Sequence, residues 1–89
     1  MAWTIDYTDT AKAQLRKLDK LTARRIVDFM DERIAAAADP RSTGKALSGP
    51  LGGFWRYRVG GCRVMICDIQ DGALRVLVVQ AGHRREVYR

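Results

Sequence analysis

Residues Phe54–Arg63, FWRYRVGGCR, decide the fold. Aromatic and basic residues alternate up to Gly60-Gly61, which predicts a strand, a two-residue turn and the start of a second strand. The alternation puts Trp55, Tyr57 and Val59 on one face and Phe54, Arg56 and Arg58 on the other. With Gly60 and Gly61 as the loop, Val59 is expected opposite Cys62 and Arg58 opposite Arg63. Arg56, Arg58 and Arg63 then crowd one small surface. Like charges directly across a hairpin destabilise it, so the arrangement points to an anion held among the guanidinium groups. The competing reading is a solvated outer face on which long arginine side chains splay apart and cover apolar neighbours.

Downstream, Asp71-Gly72 is the strongest turn dipeptide in the chain. It leads into Ala73–Ala81, a strand rich in Val and Leu. A two-residue loop there pairs Ile66 with Leu77, Val64 with Val79 and Arg63 with Gln80. The first two pairs are expected on the core face with Tyr57, and Gln80 on the arginine face. The tail His83-Arg84-Arg85-Glu86-Val87-Tyr88-Arg89 leaves the end of that strand, so Arg84 and Tyr88 can fold back over the arginines.

Upstream, Ala2–Tyr7 reads as a short strand with Trp3, Ile5 and Tyr7 on one face. Thr8 and Asp9 carry a helix N-cap signal, and Ala11, Leu15 and Leu18 recur at helical spacing. A break falls near Asp19–Leu21. Thr22 is expected to cap a second helix running to about Ala38, with Val27, Met30 and Ile34 as its apolar stripe, widened by Ile26 and Phe29. Asp39-Pro40 ends it, because a residue before proline disfavours the helical region. So short a connection predicts an antiparallel helical hairpin. Arg41–Gly53 is a loop pinned by Leu47 and Leu51, with Lys45 as its one central charge. The expected fold is α+β, in the order β-α-α-β-β-β, with an antiparallel four-stranded sheet packed on the N-terminal helical hairpin.

The whole chain, residues 1–89, is expected to form a single domain, with 47% hydrophobic residues to build its core. Sixteen Lys and Arg against ten Asp and Glu give a formal charge of +6. That excess suits a polyanion: RNA, DNA, an anionic surface or an acidic protein. The basic outer face of the helices fits either a phosphate backbone or ordinary solubilising charge. No apolar run is long enough to span a bilayer and no basic-then-apolar leader opens the sequence, so no membrane partner is expected and the expected address is the cytoplasm. Cys62 and Cys67 lie five apart on one expected strand, point to opposite faces, and are read as reduced packing cysteines with neither disulfide nor zinc spacing.

Arg56, Arg58, Arg63, His83, Arg84 and Tyr88 are the candidate catalytic residues. They include no paired carboxylates, no Ser-His-Asp set and no metal-ligand cluster, so neither a metal nor another cofactor is expected. What they suit is a phosphodiester. Arginines grip phosphate oxygens through paired hydrogen bonds, and Tyr88 or Phe54 offers a face for a splayed base. A ribonuclease of this kind lets the RNA 2′-hydroxyl attack the adjacent phosphate while the protein aligns the groups and stabilises the crowded anion. Guanidinium groups stay protonated and make poor bases. His83 is the one side chain whose ordinary pKa lies near neutrality. It is either recruited to the chemistry or a solvent-exposed loop residue.

Trp55–Tyr88 resemble the RelE/ParE toxin superfamily, and the RelE-type messenger RNA interferases in particular. WRYRVGGCRV at Trp55–Val64 and VLVVQAGHRREVY at Val76–Tyr88 carry the resemblance, supported by LRKL at Leu15–Leu18, GKALSG at Gly44–Gly49 and the element order. The resemblance implies the toxin of a type II toxin–antitoxin pair. Such a toxin enters the ribosomal A site, cuts the messenger RNA there without metal, and is wrapped and blocked by a cognate RelB-like antitoxin. Carried over by position, the family's two basic residues fall on Arg56 and Arg58, its transition-state arginine on Arg63, its leaving-group arginine on Arg84 and its C-terminal tyrosine on Tyr88. The chain departs from the best-studied pattern in having arginines for lysines at Arg56 and Arg58, and His83 where a lysine often stands. Two other readings remain: a ParE-like poison of DNA gyrase, and a non-catalytic module that binds nucleic acid and antitoxin.

Overall fold

The central hairpin forms, but one residue away from the expected register. Strand β3 (Trp55–Val59) pairs antiparallel with β4 (Arg63–Gln70), and Val59 stands opposite Arg63, Arg58 opposite Val64 and Arg56 opposite Ile66. Three residues therefore lie between the strands rather than two, and Gly60 enters the turn at φ +67°. Side chains alternate with a period of two, so one extra loop residue turns the following strand over. The expected pairing of Arg58 with Arg63 is thereby replaced. Arg56 and Arg58 share a face with Val64 and Ile66, while Arg63 joins Val59, Tyr57 and Met65 on the other. The computed structural model describes residues 3–60 and 63–87, without the side chain of Glu86. Gly61, Cys62 and Tyr88, which the sequence reading singled out, lie outside the described residues.

The second turn is also longer than its dipeptide suggests. Gln70 pairs with Arg75, so Asp71–Leu74 form a four-residue connection: one 3-10 turn with Leu74 in the left-handed region at φ 48°. Strand β5 (Arg75–His83) then pairs antiparallel with β4. A bulge intervenes: Cys67 faces Val78 but Ile66 faces Gln80, leaving Val79 as the extra residue. Beyond it Met65 faces Ala81, Val64 faces Gly82 and Arg63 faces His83. The expected pairs Ile66–Leu77, Val64–Val79 and Arg63–Gln80 do not form.

Among the described residues the sheet has five strands in the order β1-β5-β4-β3-β2. It is mixed, where an antiparallel sheet of four was expected. The added strand is β2 (Lys45–Ala46), which pairs with β3 from within the expected loop. At the other edge β1 (Thr4–Tyr7) runs parallel to β5, with Ile5 opposite Val76 and Tyr7 opposite Val78. Parallel neighbours need a long crossover, and the helices and three strands between them supply it.

Thr8 caps helix α1 (Asp9–Lys17), its hydroxyl accepting the Ala11 N–H at 3.1 Å. Helix α2 (Lys20–Phe29) is capped by Asp19, not Thr22. Asp19 accepts from the Thr22 N–H at 3.0 Å and from its hydroxyl at 2.6 Å, because Asp19 occupies the position whose side chain can reach the free N–H groups of the first turn. The helix widens into a π turn over Met30–Ile34, with the Ala35 N–H donating to Met30 at 2.8 Å, and so stops short of Ala38. Ile26, Met30 and Ile34 are the stripe it buries.

Both faces of β4 are covered, and Val64, Met65, Ile66 and Cys67 are all buried in succession. On the helix side Met65, Cys67, Tyr57, Val76, Val78 and Ala81 pack against Ile26, Met30 and Ile34. Tyr57 anchors this core: its hydroxyl donates to the Pro40 carbonyl at 2.7 Å and its ring meets Phe29 edge-on at 6.4 Å. On the far side Val64 and Ile66 form a smaller cluster with Val87, flanked by Leu47, Phe54 and Val79. The short helix α3 (Arg84–Val87) supplies Val87.

Candidate nucleic-acid interface

The two antiparallel ladders bring the C-terminal end of β3, the N-terminal end of β4 and the C-terminal end of β5 to one edge of the molecule. Arg58, Arg63 and His83 sit there, and α3 starts there with Arg84. Arg56 lies one step further along β3, on the same face as Arg58, and faces Lys45 of β2 across the ladder. Val87 seats α3 on Val64 and Ile66, whose cross-strand partners are Arg58 and Arg56. Lys45, Arg56, Arg58 and the exposed Arg84 and Arg85 thus gather around one face. Arg63 and His83 approach the same edge from the helix face.

The sequence reading gathers these residues on one face, whereas the register divides them between the two faces of one edge. It assigns no site role to Lys45 or Arg85. Lys45 is hard to find because two residues are too few for a strand pattern, although the GKALSG stretch marks the segment.

Four salt bridges among the described residues occupy Arg24, Arg41 and Arg75. Among the described residues Arg56, Arg58, Arg63 and Arg84 take part in none. Arg63 is half-buried, and its Nε is covered without a hydrogen-bond partner among the described residues. A buried donor left unmatched costs about 1 to 3 kcal/mol, so the fold tolerates this guanidinium rather than using it. Arg63 also lies within the field of Asp19. The hydroxyl and N–H of Thr22 hold the Asp19 carboxyl below its ordinary value, and the charge of Arg63 adds to that shift.

His83 has a definite structural role. Its Nδ1 accepts the Arg85 N–H at 3.2 Å, so the imidazole caps α3. Cys67 and Tyr7 stand outside the cluster: burial pushes the Cys67 thiol far up, and burial with the charge of Asp31 pushes Tyr7 up to about 12. What the edge offers is an array of guanidinium groups outside the salt bridges of the described residues and one imidazole, which is chemistry for gripping phosphate oxygens rather than for holding a cation. No helix among the described residues is long and apolar enough to cross a membrane.

The chain matches known proteins at each level of comparison. The family model described as the ParE toxin of the type II toxin–antitoxin system parDE aligns with residues 5–88. Toxin RelG of Mycobacterium tuberculosis is 29% identical over 89 residues, covering 100% of this chain and 99% of that protein. In the toxin–antitoxin complex RelBE2 from Mycobacterium tuberculosis, one chain superposes with a TM-score of 0.85 at 26% identity, over 94% of this chain and 93% of that one. The E. coli toxin RelE, solved as a mutant in the free state, gives a TM-score of 0.78 at 19% identity, over 99% of this chain and 92% of that one, and so shares the fold. A match that runs through both strands of the hairpin, both helices and the C-terminal arginines settles the family: the chain belongs to the ParE toxins of type II toxin–antitoxin systems, within the RelE/ParE superfamily.

Proposed function

We propose that this toxin is an endoribonuclease that cuts messenger RNA in the ribosomal A site, without metal. The observation that carries the reading is the convergence of Arg58, Arg63, His83 and Arg84 on one sheet edge, with all three guanidinium groups outside the salt bridges of the described residues. In the proposed reaction the 2′-hydroxyl oxygen bonds to the adjacent phosphorus and the bond to the 5′-oxygen breaks. The products are a 2′,3′-cyclic phosphate and a new 5′-hydroxyl. Arg56 and Arg58 hold the phosphate oxygens from one face of the edge and Arg63 reaches them from the other as negative charge builds. Arg84 stands at the start of α3, where its guanidinium can hydrogen-bond the leaving 5′-oxygen while a proton from solvent completes the 5′-hydroxyl. Tyr88 is assigned to the stacked base by its position alone. His83 is the candidate to take the 2′-hydroxyl proton, after releasing the Arg85 N–H. The cytoplasm is the address this reaction requires.

The partner that restrains the toxin is proposed to be a RelB-like antitoxin. Solved relatives include the RelBE2 complex and an archaeal RelE–RelB complex from Pyrococcus horikoshii. The family model's description as a ParE toxin supports a second reading, poisoning of DNA gyrase. Expression in growing cells separates the two. The ribonuclease reading expects arrest with new 5′ ends inside coding sequence, relieved by co-expressed antitoxin. Arrest with intact messages and trapped gyrase–DNA cleavage complexes would establish the gyrase reading instead.

A further inference from the structure

The bulge in β5 decides where the C-terminal half of the site goes, and two side chains from the first helix hold it. Before the bulge Val76 and Val78 face the helices; after it Ala81 does so. An unbulged strand would put Gln80 and Gly82 on that side and turn Ala81 and His83 toward Arg56 and Arg58. The extra residue instead puts Gly82 opposite Val64, on the face where α3 lies. Gly82 has φ +153°, and a Cβ built there would touch Val87 Cγ2 at 3.9 Å. Gly82 and Val87 thus lie face to face, with α3 on Val64 and Ile66 and Arg84 at its start.

A bulge breaks the ladder and leaves backbone groups to be matched elsewhere. Two are matched from α1 and its cap. The Thr8 hydroxyl donates to the Val79 carbonyl at 3.1 Å. Gln14 Oε1 accepts the Ala81 N–H at 2.8 Å, and its Nε2 donates to Gln80 Oε1 at 3.3 Å. Gln14 is half-buried at this junction, 66 residues from Gln80 in sequence.

We infer that Gln14 is a positioning residue: it holds the bulge so that β5 delivers His83 to the edge beside Arg63 and α3 delivers Arg84 to the face of Arg56 and Arg58. The inference concerns the same site and rests on the ribonuclease reading for its catalytic consequence, but its structural part stands on the bulge and on the hydrogen bonds of Gln14 and Thr8 to it.

The test compares the wild-type full-length protein with Gln14→Leu and Gln14→Glu. Glutamate keeps an oxygen for the Ala81 N–H, whereas leucine fills similar space with none. In Gln14→Leu the Ala81 amide, followed by hydrogen exchange in NMR spectra, should exchange at least tenfold faster, and the backbone shifts of 82–87 should move. On programmed ribosomes its cleavage rate at saturating ribosomes should fall at least tenfold with little change in half-saturating concentration. Gln14→Glu should restore protection and rate to within about threefold of wild type. Wild-type protection of Ala81 in Gln14→Leu overturns the inference, as does full cleavage by that variant. Should Gln14→Leu not fold, a folded Gln14→Glu that loses Ala81 protection or cleavage overturns it, and one that keeps both supports it. If wild-type protein cuts no RNA, the ribonuclease reading fails, while the exchange and shift measurements still decide whether Gln14 holds the bulge.

Discussion

Two roles meet at His83, the cap that the structure shows and the proton transfer that the proposed reaction asks of it. As the cap of α3 it gives its Nδ1 lone pair to the Arg85 N–H; as a proton acceptor in catalysis it needs a free nitrogen. Substitution separates the roles. Asparagine is a good cap without imidazole chemistry, and losing a cap costs about 1 kcal/mol. If the imidazole moves the proton, His83→Asn keeps the wild-type melting temperature and loses cleavage by at least about a hundredfold, in the range usual for general acid–base catalysis. If His83 serves only as a cap, His83→Asn cleaves normally and His83→Ala is the weaker enzyme. Cleavage and thermal melts on the two variants decide. Chain position puts His83 near the arginines, but its cap role is set by the short helix Arg84–Val87 and has no sequence signature of its own.

At the scale of elements, the sequence shows strands and helices well and turn lengths poorly. FWRYRV and the Val-rich run at 76–79 alternate or cluster as strands must, and both strands form. Gly60-Gly61 and Asp71-Gly72 are sound turn signals, yet one turn takes three residues and the other four. A single residue decides which face an arginine occupies, and its cost lies in tertiary packing: Met65 and Cys67 fit beneath the helices while Val64 and Ile66 fit beneath α3. A composition-based reading cannot see that both faces of β4 are buried. Tyr57 is the element-level anchor. Tyr57→Phe removes the donor to Pro40 at a buried site, and should lower unfolding stability by about 1 to 3 kcal/mol with an unchanged denaturant slope. An unaltered urea midpoint would show that the hydroxyl contributes nothing there.

For the whole molecule, the loop after the helices and the β4–β5 turn are held together by one arginine. Arg41 donates to both carboxylate oxygens of Asp71, at 2.9 and 2.5 Å, and lies 5.8 Å from the centre of the Trp55 ring. Hydrogen bonding from Arg41 holds the Asp71 carboxyl below its ordinary value of 3.8. A carboxyl with a lowered folded-state pKa stabilises the fold fully above its unfolded value and loses that contribution as the pH falls through the folded value. Melting temperatures of wild type should therefore drop on acidification below about pH 4, and Asp71→Asn should start lower at neutral pH and drop less. Parallel curves for the two proteins would rule the pair out as a source of acid sensitivity. The family and the order of elements were readable from motifs spread along the chain. The parallel placement of β1 beside β5 was not, since no turn joins the two strands and only the closed sheet reveals them as neighbours.

The same scale carries the central claim, that an arginine cluster at the sheet edge cuts messenger RNA by 2′-hydroxyl attack. Ribosomes stalled with a defined A-site codon are incubated with the purified toxin and with Arg63→Ala, and both ends of the cut are mapped. The account predicts a cut inside that codon, a 2′,3′-cyclic phosphate on the upstream fragment, and a rate lower by at least about a hundredfold in a folded Arg63→Ala protein, the scale expected when a group that stabilises developing charge is removed. An intact message, or equal cutting by Arg63→Ala, would contradict it.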